Sequence, residues 1–266
     1  MAATIAIELY TLRDFMNDQR GFVDTIKRVR EVGYEAVEFA GVTAVEGETP
    51  DTTAVEVRRI LDDAGLTCAS AHRRWGSLRD DTDAEIDFLQ TLGCPYVAVP
   101  IIIDEYDRYA YEGYQAFLAD LPPVVERLKA AGITLGYHNH SIEFLRGLDG
   151  DTIYDLLIEQ GGPDLAMTVD VYWAAVAGVN PVNLIERLHG RVPVIHMKDL
   201  EVALPDEGHM PLPVFAPVGE GNLDWDAIIP AAKAAGAETW VVEQDLCRRD
   251  HYDCIRSSLE FLKPRV

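Results

Sequence analysis

Basic residues are scarce in this chain. It has 23 lysines and arginines against 45 aspartates and glutamates, a formal net charge of −22 at pH 7. A surface of that sign repels phosphate backbones, and no stripe of Lys and Arg offers the footprint that nucleic-acid binding needs. A polyanionic substrate is disfavoured for the same reason, unless local Arg or Lys side chains receive it. Cysteine is sparse as well. Cys68, Cys94, Cys247 and Cys254 form no CxxC pair, which argues against a zinc knuckle and against a disulfide framework. No apolar run approaches the roughly 18 residues of a membrane span. The first residues, MAATIAIELYTLRDF, lack the basic start and long apolar core of a signal peptide. A reduced, cytoplasmic protein without membrane or nucleic-acid partners is the expectation. Glycine is missing where a dinucleotide fold needs it. The turn after the first apolar segment reads Tyr10-Thr11-Leu12-Arg13-Asp14, and Gly219-Glu220-Gly221 comes late with no phosphate-type helix behind it.

What is present is a rhythm. Short apolar runs alternate with longer amphipathic stretches across all 266 residues, of which 48% are hydrophobic and 26% charged, an ordinary globular balance. Strand candidates are 5–9, 36–39, 67–71, 96–100, 134–137, 166–169, 194–197 and 240–242. Helical patterns between them cover 21–32, 52–64, 81–92, 111–131 and 152–159. Several helices stop at a glycine that precedes the next strand, at Gly33, Gly65, Gly93, Gly132 and Gly236, where a left-handed residue closes the last turn. Repeated helix, glycine and strand is the pattern of βα units in a parallel sheet. Eight such units, and a length close to the roughly 250 residues such a fold uses, predict a single (β/α)8 TIM barrel spanning residues 1–266. The Pro-rich, polar segment Leu204–Pro217 reads as one long loop after the seventh strand, on the side where loops cover a substrate.

In such a barrel the active site sits at the carboxyl ends of the strands. The residues there are Glu8 and Tyr10 after the first strand, Glu38 after the second and His72 after the third. The fifth supplies His138, Asn139, His140 and Glu143, and the sixth Asp170 and Trp173. The seventh gives His196 and Lys198, and the eighth Glu243. Four of the seven histidines therefore fall on one face, with five acidic residues beside them. Any one of these residues alone reads as a hydrogen-bonded structural group. Together, His, Asp and Glu are the ligand set for Mn²⁺, Mg²⁺, Zn²⁺ and related ions, and Asp170, His196 and Glu243 read as metal ligands.

Motifs running through the whole chain sharpen this. They are LYTLRD at Leu9–Asp14, GYEAVEFAG at Gly33–Gly41, SAH at Ser70–His72 and YHNHSIEF at Tyr137–Phe144. DVYWA at Asp170–Ala174, HMKD at His196–Asp199, PVGEGNLDW at Pro217–Trp225 and VEQD at Val242–Asp245 complete the set. In this order they resemble the sugar phosphate isomerase/epimerase family of xylose isomerase-like barrels, which also takes in inosose dehydratases and endonuclease IV relatives.

The resemblance implies a metal held after strands five to eight. Asp170, His196 and Glu243 match the last three ligands of the family. The first departs from it: many members carry Glu at the end of strand five, where this chain has His138, and Glu143 five residues on is the alternative. The implied cofactor is a divalent metal, with Mn²⁺ placed first and Mg²⁺, Co²⁺ and Zn²⁺ open. The implied chemistry is proton removal next to a carbonyl whose charge the metal stabilises. Glu143, His140 and Glu243 are the candidates for proton transfer and Lys198 for charge stabilisation. Glu38 and His72 would bind substrate hydroxyls, with Trp173 and Trp75 as apolar walls. The expected activity is isomerisation or epimerisation of a ketose, keto-sugar or related polyol. A dehydratase or lyase eliminating from a 3-keto sugar, 3-keto glycoside or inosose is the alternative. A repair nuclease conflicts with the negative charge, and a non-catalytic sugar-binding subunit conflicts with three clear ligands. The partner is a small-molecule carbohydrate, with homo-oligomer and hetero-complex both open. No phosphate-binding signature is evident.

Overall fold

The computed structural model describes residues 2–103, 106–147, 150–204 and 210–266. Seven strands follow one another with helices between them: β1 (Thr4–Glu8), β2 (Ala36–Phe39), β3 (Thr67–His72), β4 (Tyr96–Val99), β5 (Thr134–His138), β6 (Ala166–Asp170) and β7 (Val194–Met197). Then come β8 (Asp199–Ala203), β9 (Leu212–Ala216) and β10 (Thr239–Val242). The first seven and β10 close a barrel in the order β1-β10-β7-β6-β5-β4-β3-β2, parallel at every seam. The eight strand segments legible in the sequence are these eight, and the expected TIM barrel is the fold.

Strands of such a barrel are covered on both faces, so they read as buried runs rather than as alternations. Residues i and i+2 nevertheless share a face. On the inner face this separates two layers. Small and apolar residues lie near the strand starts: Ala6, Ala36, Ala98, Ala166, Val194 and Val241 form a buried cluster of their own with Tyr96. Two residues further along the same strands stand Glu8, Glu38, His196 and Glu243, all buried. The floor is apolar and the mouth is ionisable. Between the layers, the Tyr96 hydroxyl crosses the interior to Thr168 Oγ1 at 2.8 Å. Gly136 on β5 makes room for it, because a Cβ there would collide with that hydroxyl.

The segment after β7 differs from the single loop expected. β8 and β9 form an antiparallel ribbon, registered from Asp199 opposite Ala216 to Ala203 opposite Leu212. Pro213, one of the prolines that suggested a loop, is tolerated within β9 because a two-stranded ribbon is all edge. The tip of the expected loop, residues 205–209, lies outside the described residues. Asp199 fastens the ribbon's base. Its buried carboxylate accepts hydrogen bonds from the backbone N–H groups of Leu200, Gly219, Gly221 and Leu223 and from Trp225 Nε1, the last at 2.6 Å. The HMKD and PVGEGNLDW motifs are thus the two halves of one carboxylate-centred turn.

Gly136→Ala is expected to destabilise the barrel by about 1–3 kcal/mol, the usual range for overpacking a closed core. Urea denaturation of the pair measures it, and Tyr96→Phe/Gly136→Ala should recover part of the loss, since the obstructing hydroxyl is gone.

Candidate active site

Seven of the eight barrel strands, all but β4, deliver one or two polar side chains to the same space at their ends. His138, Asp170, His196 and Glu243, from β5, β6, β7 and the end of β10, each present one donor atom within 4.8 Å of the others, and all four are buried. His196 Nδ1 lies 2.8 Å from Glu243 Oε2, and His138 Nε2 lies 3.9 Å from Asp170 Oδ2. The local sequence aims these groups. Asp170 caps the helix that follows it, Oδ1 accepting from Trp173 N at 2.9 Å, which turns Oδ2 towards the cluster. Asn139 clamps β5 to β6: its Oδ1 accepts from Asp170 N at 3.0 Å and its Nδ2 donates to Asp170 O at 3.3 Å. The middle residue of the HNH motif therefore fixes the position of Asp170 relative to its own neighbour His138 across the β5–β6 seam.

Lys198 follows β7 and is buried, contrary to the exposed loop position common for lysine. Its Nζ lies 2.6 Å from Glu243 Oε2, 3.1 Å from Asp170 Oδ2 and 3.2 Å from Asp245 Oδ1. Burial alone would depress its pKa, but these carboxylates hold it well above the ordinary lysine value. Burial lifts Asp170 to about 6 against the pull of Lys198, and lifts Asp245 to about 7 with help from Glu243. His138 is pushed well below its usual value by burial and by the neighbouring His196 and His72. Neutral imidazole is the form that has a lone pair for a metal. Burial and Lys198 lower His140 to about 3.

A second group adjoins the first. His72 Nδ1 lies 3.1 Å from Glu8 Oε1, its Nε2 lies 3.5 Å from Glu38 Oε1, and its ring stacks on His196 at 5.3 Å between centroids. Above both groups opens a cleft of about 1000 Å³, lined among others by Tyr10, Arg13, Arg73, His72, His140 and Asp245. A smaller cavity of about 420 Å³ lies at the opposite end of the barrel, by Lys129, Arg191 and Glu238, and touches none of these groups.

The structure gathers most of the residues singled out from the sequence, and moves some of them. His138, and not Glu143, stands after β5 with Asp170, His196 and Glu243. Glu143 turns away: Oε1 accepts from the hydroxyls of Tyr137 (2.8 Å) and Tyr114 (3.2 Å), and Oε2 from His140 N at 2.7 Å. Its oxygens are taken up in supporting the HNH turn. Glu38 is fully buried beneath His72 and His196 and does not line the cleft. Trp173 packs against His140 and Phe215, and Trp75 against Phe117 with its Nε1 donating to Tyr106, so neither forms a wall of the cleft. His72 and His140 do line it. Two residues had no role assigned from sequence: Glu8, at the cleft and paired with His72, and Asp245, the last residue of VEQD. The signal for Asp245 was its i+2 relation to Glu243, which repeats the inward parity of the strand.

Glu143 makes a test of this placement. Burial raises its carboxyl from 4.5 to about 7, so the folded protein keeps that proton to higher pH than the unfolded chain does. Its contribution is therefore a loss of stability as pH rises from about 4.5 to about 7, amounting to about 3 kcal/mol, and no further change above. Urea denaturation at stepped pH should show this decline in the wild type and a flatter profile in Glu143→Gln.

Comparison with known proteins agrees with this architecture. The chain is 24% identical to the rhizopine catabolism protein MocC of Rhizobium meliloti, over 83% of this chain and 74% of that protein. It is 21% identical to an inosose dehydratase of Lacticaseibacillus casei, over 91% of this chain and 88% of that one. A sugar phosphate isomerase/epimerase structure from Parabacteroides distasonis superposes with a TM-score of 0.76 at 21% identity, covering 98% of both chains. Residues 26–265 match the family model described as the xylose isomerase-like TIM barrel, and the chain belongs to that family.

Proposed function

We propose that this protein is a divalent-metal-dependent isomerase or epimerase of a keto-sugar or related polyol. The observation that carries the reading is the convergence of His138, Asp170, His196 and Glu243 beneath a cleft roomy enough for a small-molecule substrate. Their fit to a metal is testable on the structure itself. Four buried donor atoms from four neighbouring strands lie within 4.8 Å of one another, and Lys198 Nζ already places a positive charge against two of them, Asp170 Oδ2 and Glu243 Oε2. Two imidazoles and two carboxylates suit Mn²⁺, Co²⁺ or Zn²⁺ better than Ca²⁺, which prefers oxygen alone. Bound there, a divalent ion would polarise a substrate carbonyl and make the adjacent C–H acidic.

The remaining work falls to the chain. Asp245 faces the cleft and exchanges a proton with the substrate carbon, its carboxyl balanced between burial and the Lys198 ammonium. Lys198 keeps Asp170, Glu243 and Asp245 together while offering positive charge to a developing oxyanion. His140, held neutral, and His72 are placed to bind hydroxyls at the cleft. The similarity to inosose dehydratase supports a second reading, in which the same proton removal is followed by loss of a β-hydroxyl. The two diverge only after the first step.

Purified protein is expected to carry a divalent ion that chelation removes together with activity, and Asp170→Ala or His138→Ala should lose that ion. Asp245→Asn should keep the metal and lower kcat by about 10²–10⁴, the usual contribution of a positioned acid or base. Product mass on a panel of ketoses, 3-keto sugars and inososes separates the two readings: an isomer conserves mass, whereas elimination gives a product lighter by water. A wild type that binds no ion, even with Mn²⁺ supplied, overturns the proposal.

A further inference from the structure

The two acids that β10 brings to the mouth of the barrel lie beyond its sheet. Pairing of β10 with β1 ends at Val242 opposite Ile7, and pairing with β7 ends at Val242 opposite Met197. Glu243, Gln244 and Asp245 follow, outside the ladder on both sides. A carboxyl that exchanges a proton with substrate must be held to about half an ångström, and a strand end past its last pair does not provide that.

Two side chains from the 3₁₀ turn Leu9–Phe15, directly after β1, take hold of this segment. Thr11 is buried, and its Oγ1 accepts a hydrogen bond from Gln244 N at 3.1 Å. Arg13 Nη2 donates to Asp245 O at 3.0 Å, while its Nη1 donates to Tyr10 O at 2.9 Å. The guanidinium also lies over the Tyr10 ring, 4.2 Å from its centroid. Gly41, with φ at +66°, leaves the space for that ring, since a Cβ there would stand 2.6 Å from Tyr10 Cδ2. These partners of Arg13 are two carbonyl oxygens and an aromatic face, none of them a carboxylate. A planar guanidinium can bridge two carbonyls and stack at the same time, which a lysine ammonium cannot do. From the opposite side, Lys198 Nζ meets the Asp245 carboxyl at 3.2 Å. Asp245 is therefore held by its backbone from β1 and by its side chain from β7.

We infer that Arg13 is a positioning residue, which with Thr11 clamps residues 243–245 to the turn after β1 and so aims the Asp245 carboxyl at the cleft. The inference rests on the proton-transfer role proposed for Asp245. Arg13 itself borders the cleft, so direct contact with substrate is the competing role. The two differ in their consequences. A clamp acts on kcat and only through Asp245, whereas a substrate contact acts on KM whether or not Asp245 is present.

Hydrogen exchange read by mass spectrometry tests the clamp without any substrate. Arg13→Ala and Thr11→Val should each speed amide exchange across residues 243–247 by about tenfold, the scale of one lost hydrogen bond, and leave residues 194–197 unchanged. On the substrate that the panel above identifies, Arg13→Ala should lower kcat by about 10–100-fold with KM little changed. Added guanidinium ion, well below denaturing concentration, should restore part of that loss. In an Asp245→Asn background the same substitution should cost almost nothing more, because residues that act as a unit are not additive. Circular dichroism checks that the variants fold; should the buried Thr11→Val fail, Arg13→Ala at the cleft edge carries the test alone. Unchanged exchange overturns the clamp. A kcat loss equal with and without Asp245, or a loss that falls on KM, overturns the positioning role and makes Arg13 a substrate contact. A wild type inactive on the whole panel, or a fully active Asp245→Asn, overturns the proposed reaction instead, and the exchange result then decides the clamp.

Discussion

Lys198 Nζ lies within about 3.2 Å of three carboxylates, Asp170, Glu243 and Asp245, in a chain whose formal charge is −22. A buried ammonium is costly when isolated and a buried carboxylate is costly in a group of its own kind. Each cancels the expense of the other, and this makes the mouth of the barrel possible as a polar cavity. Without the lysine, β6 and β10 would deliver like charges into one desolvated space. The aromatic rings of Trp173 and Phe215, each 5.6 Å from Nζ, close the far side and keep the ammonium directed at the acids. The ribbon of β8 and β9 is joined to the same point, because Asp199 follows Lys198 directly and anchors the turn at Gly219–Leu223.

Closure of the barrel supplies the rest of the geometry. Eight parallel strands tilt around one axis, so their inward positions converge although the residues lie far apart in the chain. The two-residue period does the sorting. It stacks Glu8 on Ala6, Glu38 on Ala36, His196 on Val194 and Glu243 on Val241. The irregular register between β2 and β3, at Val37 and Glu38, sets Ser70 opposite Glu38 and brings His72 onto the same face. A one-residue difference there would turn His72 out of the cluster.

Some features of the site are legible in the sequence alone, and others are not. His138, Asp170, His196 and Glu243 could be read because each ends an apolar run at a position whose direction the fold dictates. Glu143 could not be read correctly, since it lies on a 3₁₀ turn beyond β5 where neither strand nor helix period applies. Tyr137, in the same motif, captures it instead. The pairing of Lys198 with Asp245 spans 47 residues of sequence, and no local pattern records it. The ribbon of β8 and β9 was hidden by Pro213, since proline is excluded from a central strand but not from a free-standing one.

The sequence by itself determined the strand–helix alternation, the parallel closed barrel and the face on which the ionisable residues gather. Those follow from periodicity, from helix-ending glycines and from the count of eight units, all of which are local. Only the tertiary structure decided which of those residues gather in one cluster that could hold an ion, which support the backbone and which meet the cleft. The distances within that cluster are set by how strands from opposite ends of the chain are tilted and registered against one another, and that relation exists only once the barrel has closed.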